Sequence, residues 1–143
     1  LGFVAEAKGS ARLIHGGVRP ADLPRGWFVA PTILDRVPPE ARIAREEVLG
    51  PVVTITRFTA EADAVAIANG TGYGLVAGVY TRDISRALRL AQTLEAGSVW
   101  INGWFLGGQQ APTGGIKDGG IGRERGLLGV RNHLQVKNVG IRV

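Results

Sequence analysis

The side chains able to do chemistry in this 143-residue sequence are few and scattered. Glu46 and Glu47 are adjacent and precede Val48-Leu49-Gly50-Pro51, so a Gly-Pro turn could hold a carboxylate for acid–base work. Two neighbouring acids in a loop are also ordinary solvated surface, and spacing alone favours that plainer account. His15 and His133 lie far apart, with no acid or second histidine at ligand spacing. Each reads as a satisfied or exposed imidazole. Gly120-Ile121-Gly122-Arg123-Glu124-Arg125-Gly126 runs G-x-G-x-x-x-G and follows no strand, the wrong spacing and context for a dinucleotide fingerprint. Gly114-Gly115-Ile116-Lys117 lacks the leading glycine and the following Ser or Thr of a Walker loop. Ten of the 22 glycines fall between Gly103 and Gly129, where backbone turning sharply or passing close to another chain segment needs them for steric reasons. Cysteine is absent, which excludes a disulfide scaffold, a thiolate zinc site and a thiol nucleophile within this sequence.

Composition narrows the class further. At 45% hydrophobic and 20% charged residues the sequence is globular, with the length of one ordinary domain. Seventeen Lys and Arg against 12 Asp and Glu leave a formal charge of +5. The cations are dispersed, several alternate with acids, and aromatics are not interleaved as in an RNA-recognition sheet. A solvated basic surface therefore outweighs a nucleic-acid site, and no nucleic-acid partner is expected. No run approaches the ~18 apolar residues of a membrane span, and no basic-then-apolar segment opens the sequence, so no membrane partner is expected. The cytoplasm is the expected compartment. The sequence starts at Leu1 and holds no Met, so it is expected to be part of a longer protein.

The elements that must position these residues are clearest mid-chain. Residues 52–58 are β-branched and aromatic and read as a strand after Pro51. Thr59 can cap a helix from about Ala60 to Asn69, stopped by Gly70 and Gly72. Residues 75–80 form a short apolar run suited to a strand buried on both faces. Asp83 is the next cap, before Ile84, Ala87, Leu88, Ala91 and Leu94 at helical spacing, and residues 98–101 are a third strand. Together they predict a β-α-β-α-β run with right-handed parallel crossovers. Residues 11–15 and 28–37 read as two earlier strands, residues 2–8 as the end of a helix, and 135–143 as an edge strand. The fold class is α/β: an open, mostly parallel β-α-β sheet with a glycine-rich loop and a C-terminal edge strand. Ligands gather outside the carboxyl ends of such strands, which brings Asn102 into view. Its amide either faces a site or bonds nearby backbone, and spacing does not separate the two.

Five blocks, taken together, carry a resemblance. They are Pro31-Thr32-Ile33-Leu34, Glu46 through Val52, Ala68 through Leu75, Ala96 through Asn102, and Pro112 through Lys117 followed by Gly120 through Glu124. In order and spacing they resemble the aldehyde dehydrogenase superfamily, over essentially all 143 residues. The resemblance implies NAD(P)-dependent oxidation of an aldehyde to a carboxylic acid through a cysteine thiohemiacetal and thioester. It implies that this sequence is about the last third of such an enzyme. Residues 1–134 would be a partial catalytic domain, and residues 135–143 the terminal strand through which a homo-oligomer pairs. The catalytic cysteine, the general base and the cofactor domain would lie upstream, so no catalytic residue lies in this sequence and the chain alone is expected to be inactive. The alternative is a free-standing, non-catalytic binding or scaffolding module of the same family.

Carried over by position, Glu47 matches the glutamate that hydrogen-bonds the ribose next to nicotinamide, and so orients the ring for hydride transfer. Leu49 stands where the family usually has phenylalanine near the nicotinamide, which keeps an apolar wall but not a flat one. Thr113 replaces another usual phenylalanine beside the substrate tunnel, and Gly107 stands where some members place an aromatic. These two smaller residues imply a wider or more polar substrate entrance. Asp118-Gly119-Gly120 departs from the commoner x-Ser-Gly. No metal site is implied.

Overall fold

The computed structural model describes residues 1–143, which divide into two compact units, Leu1–Thr71 and Gly72–Val143. The first unit holds α1 (Gly2–Ala7), β1 (Arg12–His15), β2 (Thr32–Asp35), α2 (Arg42–Arg45), β3 (Val52–Ile55) and α3 (Glu61–Asn69). β1 pairs antiparallel with β2, and β2 pairs parallel with β3 in the register Thr32↔Val52 to Asp35↔Ile55. The strand expected over 28–37 starts only at Thr32. Pro31 has no N–H to give to a ladder, and Ala30 donates instead to the Val18 carbonyl at 3.0 Å. The Thr32 hydroxyl is buried; it accepts from the Gly17 N–H and donates to the Ala30 carbonyl, both at 2.8 Å. That one side chain ties the loop before β2 to the strand.

Val4, Ala7, Leu34, Val37 and Ile43 form the buried core of this unit, with α1 packed against α2. Leu34 is fully buried, a gain of about 1.5–3 kcal/mol for a side chain of its size. The Arg42 guanidinium covers the Phe3 ring at 4.2 Å and lies 3.6 Å from the Glu6 carboxylate, linking α2 to α1, while its 2.9 Å pair with Glu46 stays local to α2. α2 itself is too short to leave a periodic signal in the sequence. The cap of α3 is Ala60 rather than Thr59, because Asp63 reaches back to accept the Ala60 N–H at 3.0 Å.

The second unit holds β4 (Val76–Val79), α4 (Ile84–Thr93), β5 (Ser98–Ile101), a 3₁₀ turn (Lys117–Gly119) and α5 (Gly126–Arg131). β4 and β5 pair parallel, Val76↔Ser98 to Val79↔Ile101, with α4 as the crossover. The Asp83 cap is as expected, its carboxylate accepting from the Arg86 N–H at 3.1 Å. The open α/β architecture with parallel strands is thus the one expected. The β-α-β-α-β run was expected to form one parallel sheet, whereas its strands belong to two, β3 pairing with β2 and β4 with β5. Local patterning marks strands but does not encode which strands pair. β4 is also less covered than expected, with Val79 buried but Val76 and Ala77 only half-buried. The glycine-rich segment is not all loop, since it contains the 3₁₀ turn and α5. Residues 135–143 are exposed and carry no ladder within the chain.

The β2–β3 register is clamped at its end. Arg57 grips the buried Asp35 carboxylate through Nη2 at 2.7 Å and Nε at 3.3 Å, and the Arg36 N–H adds a bond at 2.8 Å. Chiefly through the Arg57 hydrogen bond, this holds the Asp35 carboxyl below its ordinary range. A depressed folded pKa means stability present above the unfolded value of about 3.9 and lost as pH falls through the lower folded value. Asp35→Asn is therefore expected to unfold at lower denaturant than wild type at pH 7, with the gap closing below about pH 4. Urea titrations across that range check it, and a gap independent of pH would reject the clamp.

Candidate functional site

The residues singled out by sequence fall into two pairs, one in each unit. In the first unit, Glu47 and Leu49 share the turn between α2 and β3. This turn is closed by hydrogen bonds from Gly50 N–H to the Val48 carbonyl and from Val52 N–H to the Gly50 carbonyl, both 2.8 Å. The Pro51 carbonyl accepts from Thr32 N–H at 2.8 Å, anchoring the turn to β2. The two adjacent acids separate in role. Glu46 is committed to Arg42, whereas the Glu47 carboxylate is exposed, outside that ion pair. Leu49 is 91% exposed, an apolar side chain presented from a built turn rather than buried beneath it.

In the second unit the carboxyl ends of β4 and β5 are fixed by Asn102. Its amide oxygen accepts from the Thr81 N–H and its amide nitrogen donates to the Thr81 carbonyl, both at 2.8 Å. Its own N–H bonds the Val79 carbonyl at 2.8 Å, and it sits at φ 55°, a conformation asparagine tolerates better than most residues. Of the two readings open for Asn102, the geometry supports the one in which it bonds nearby backbone. Beyond it, Trp100 contacts Trp104 edge-on, with ring centroids 4.8 Å apart, and Phe105 at 5.0 Å. Gly107 follows at φ 109° on exposed chain. Thr113 and Glu124 exchange backbone hydrogen bonds at 2.8 and 2.7 Å in an isolated antiparallel bridge. Arg123 spans the glycine turns by donating to the Gly115 and Gly122 carbonyls at 2.7 and 2.8 Å.

An open concavity of about 910 Å³ lies in this unit, lined by Gln109, Gln110, Glu124, Arg125 and His133 among others. Neither Gly107 nor Thr113 lines it, although Thr113 is bridged to Glu124. Sequence reading took His133 as a satisfied or exposed imidazole and assigned Glu124 no role; both residues line this hollow, nine positions apart in sequence.

A sequence model of the aldehyde dehydrogenase family matches residues 1–139. The chain belongs to that family. It is 43% identical over 136 residues to an aldehyde dehydrogenase of Emericella nidulans, covering 95% of this chain and 27% of that one. Among solved structures it is similar to the P. syringae indole-3-acetaldehyde dehydrogenase in complex with NAD+ and IAA. The TM-score there is 0.92 at 38% identity, over 99% of this chain and 29% of that one. It is likewise similar to a Mycobacterium tuberculosis aldehyde dehydrogenase complexed with NAD+, with TM-score 0.87 at 38% identity, over 99% of this chain and 30% of that one. The chain thus spans less than a third of the length of these relatives.

The Asn102 clasp gives a stability test of its own. Asn102→Ala loses both side-chain bonds and leaves at positive φ a residue that tolerates it less well than asparagine, with an expected cost of about 1–2 kcal/mol. Asn102→Gly loses the same bonds but suits the backbone, and should cost less. Chemical denaturation of the two variants checks the order; equal stabilities would remove the conformational part of the account.

Proposed function

We propose that this chain is the C-terminal segment of an NAD- or NADP-dependent aldehyde dehydrogenase that oxidises an aldehyde to a carboxylic acid. The observation that carries this reading is the family match across residues 1–139. In the reaction, a cysteine thiolate supplied by the rest of the enzyme adds to the aldehyde, two electrons leave as hydride, and water hydrolyses the resulting thioester. The bound nicotinamide supplies the hydride acceptor. This chain's own residues bind and orient. The Glu47 carboxylate, exposed in this chain, would accept hydrogen bonds from ribose hydroxyls, and the exposed Leu49 would give the adjoining ring an apolar contact. Holding the ring at a fixed angle to the substrate is an orientation effect, which governs the hydride step more than overall affinity. Gly107 and Thr113 leave the substrate entrance wide.

The same reading extends to assembly. Residues 135–143 leave Val136, Val139, Ile141 and Val143 exposed with no ladder partner inside the chain, which supports pairing as a strand with another subunit of a homo-oligomer. Residues 1–134 then act as the catalytic-domain portion, in a cytoplasmic enzyme. The chain contains no cysteine, so the 143 residues alone are expected to give no aldehyde-dependent NADH signal. Measurable turnover by the purified chain would overturn that expectation. In the full-length enzyme, Glu47→Gln is expected to slow hydride transfer about tenfold or more through ring misplacement, with little change in aldehyde binding. Single-turnover rates with deuterated aldehyde check this, and an unchanged hydride step would reject the role of Glu47.

A further inference from the structure

The loop after β5 is held by an aromatic contact with a specific requirement on β4. Trp104 lies over Gly78, and a Cβ built at Gly78 would stand 2.9 Å from the Trp104 ring, closer than carbon atoms approach. The indole fits only because β4 has no side chain there. Trp104 also meets Trp100, the register partner of Gly78, edge-on at an interplanar angle of 76°, and Trp100 is buried. Phe105 completes the cluster at φ 54°, a backbone state that costs a bulky residue energy and persists only where its surroundings over-determine it. With Asn102 bonded to Thr81, both rungs at the end of the sheet hold the chain that leads to Gly107.

We propose that Trp104, seated on Gly78, is a positioning residue for the substrate entrance. It fixes the path of residues 103–108 and thereby admits aldehydes with a long or bulky tail. The inference rests on the reading of Gly107 and Thr113 as entrance residues. A small aldehyde has nothing extending to the entrance, so only the tail of a longer one senses how this loop is held. The clasp is therefore a specificity device, separable from the chemical step.

The test uses the full-length enzyme with acetaldehyde and 3-phenylpropanal. Trp104→Ala is expected to raise the KM for 3-phenylpropanal about fivefold or more, because the loop that meets the tail loses its fixed path. The KM for acetaldehyde, the KM for NAD and kcat for acetaldehyde should stay within about twofold. Gly78→Ala, which drives a methyl into the ring, should act in the same direction, and Trp104→Phe should recover most of the loss. Should Trp104→Ala fail to fold, the Gly78→Ala and Trp104→Phe variants carry the same comparison. Equal losses for both aldehydes, or no loss in either the Trp104→Ala or the Gly78→Ala enzyme, would overturn the proposal. Thr113→Phe tests the underlying reading separately. If it leaves both aldehydes unaffected, the entrance assignment fails, whereas a response there with none at Trp104 and Gly78 removes the positioning role alone.

Discussion

The second unit depends on one carbonyl. Gly74 O accepts from Gly97 N–H at 2.9 Å and from Ile116 N–H at 3.0 Å, joining the start of β4, the turn before β5 and the glycine-rich segment at a single atom. For three stretches of backbone to meet there, side chains must be absent between them. A Cβ at Gly97 would fall on the Gly114 carbonyl, and one at Gly115 on that of Gly119. These are backbone-to-backbone approaches, which no rotamer change relieves. The glycines are therefore required by packing rather than by phosphate binding, and a substitution among them would push apart elements distant in sequence.

This constraint explains what the sequence made legible and what it concealed. Strands β3, β4 and β5 and helices α3 and α4 were readable because each carries a local pattern: β-branched runs, an Asp cap, a helical period. The pairing of β2 with β3 was concealed because the contacts that accompany it, such as Asp35 with Arg57, join residues 22 apart that meet only in the folded chain. The short α2 and α5 are too brief for periodicity and are held by contacts such as Asn132 to the Arg123 carbonyl at 2.6 Å. Steric need for glycine could be argued from its density alone, but the particular carbonyls it accommodates could not.

The candidate site was legible to a different degree. Resemblance singled out Glu47 and Leu49, and the structure adds a physical distinction between the neighbouring acids, one consumed by Arg42 and one exposed. For Asn102 local spacing was ambiguous, since a strand-end amide serves a ligand or a backbone equally well. Only the paired bonds to Thr81 decide it, and they need β4 and β5 already in register. The concavity holding Glu124 and His133 had no sequence signal, because it is formed by a turn and a six-residue helix.

Periodicity also predicts more burial than either unit provides. In α4 the apolar repeat is clear, yet only Ala87 is buried, while Ile84 and Leu88 remain exposed. Leu49, Trp104 and Phe105 are exposed as well, but for them burial was never the issue: a turn and an aromatic clasp hold them at the surface. The two kinds of exposure have different physical meanings. An amphipathic helix face left uncovered reports a surface whose complement lies outside its own unit. An apolar side chain held outward by a turn or by ring contacts is exposed for a local reason. Leu49 and the Trp104 loop belong to this second kind, each fixed by contacts inside its own unit.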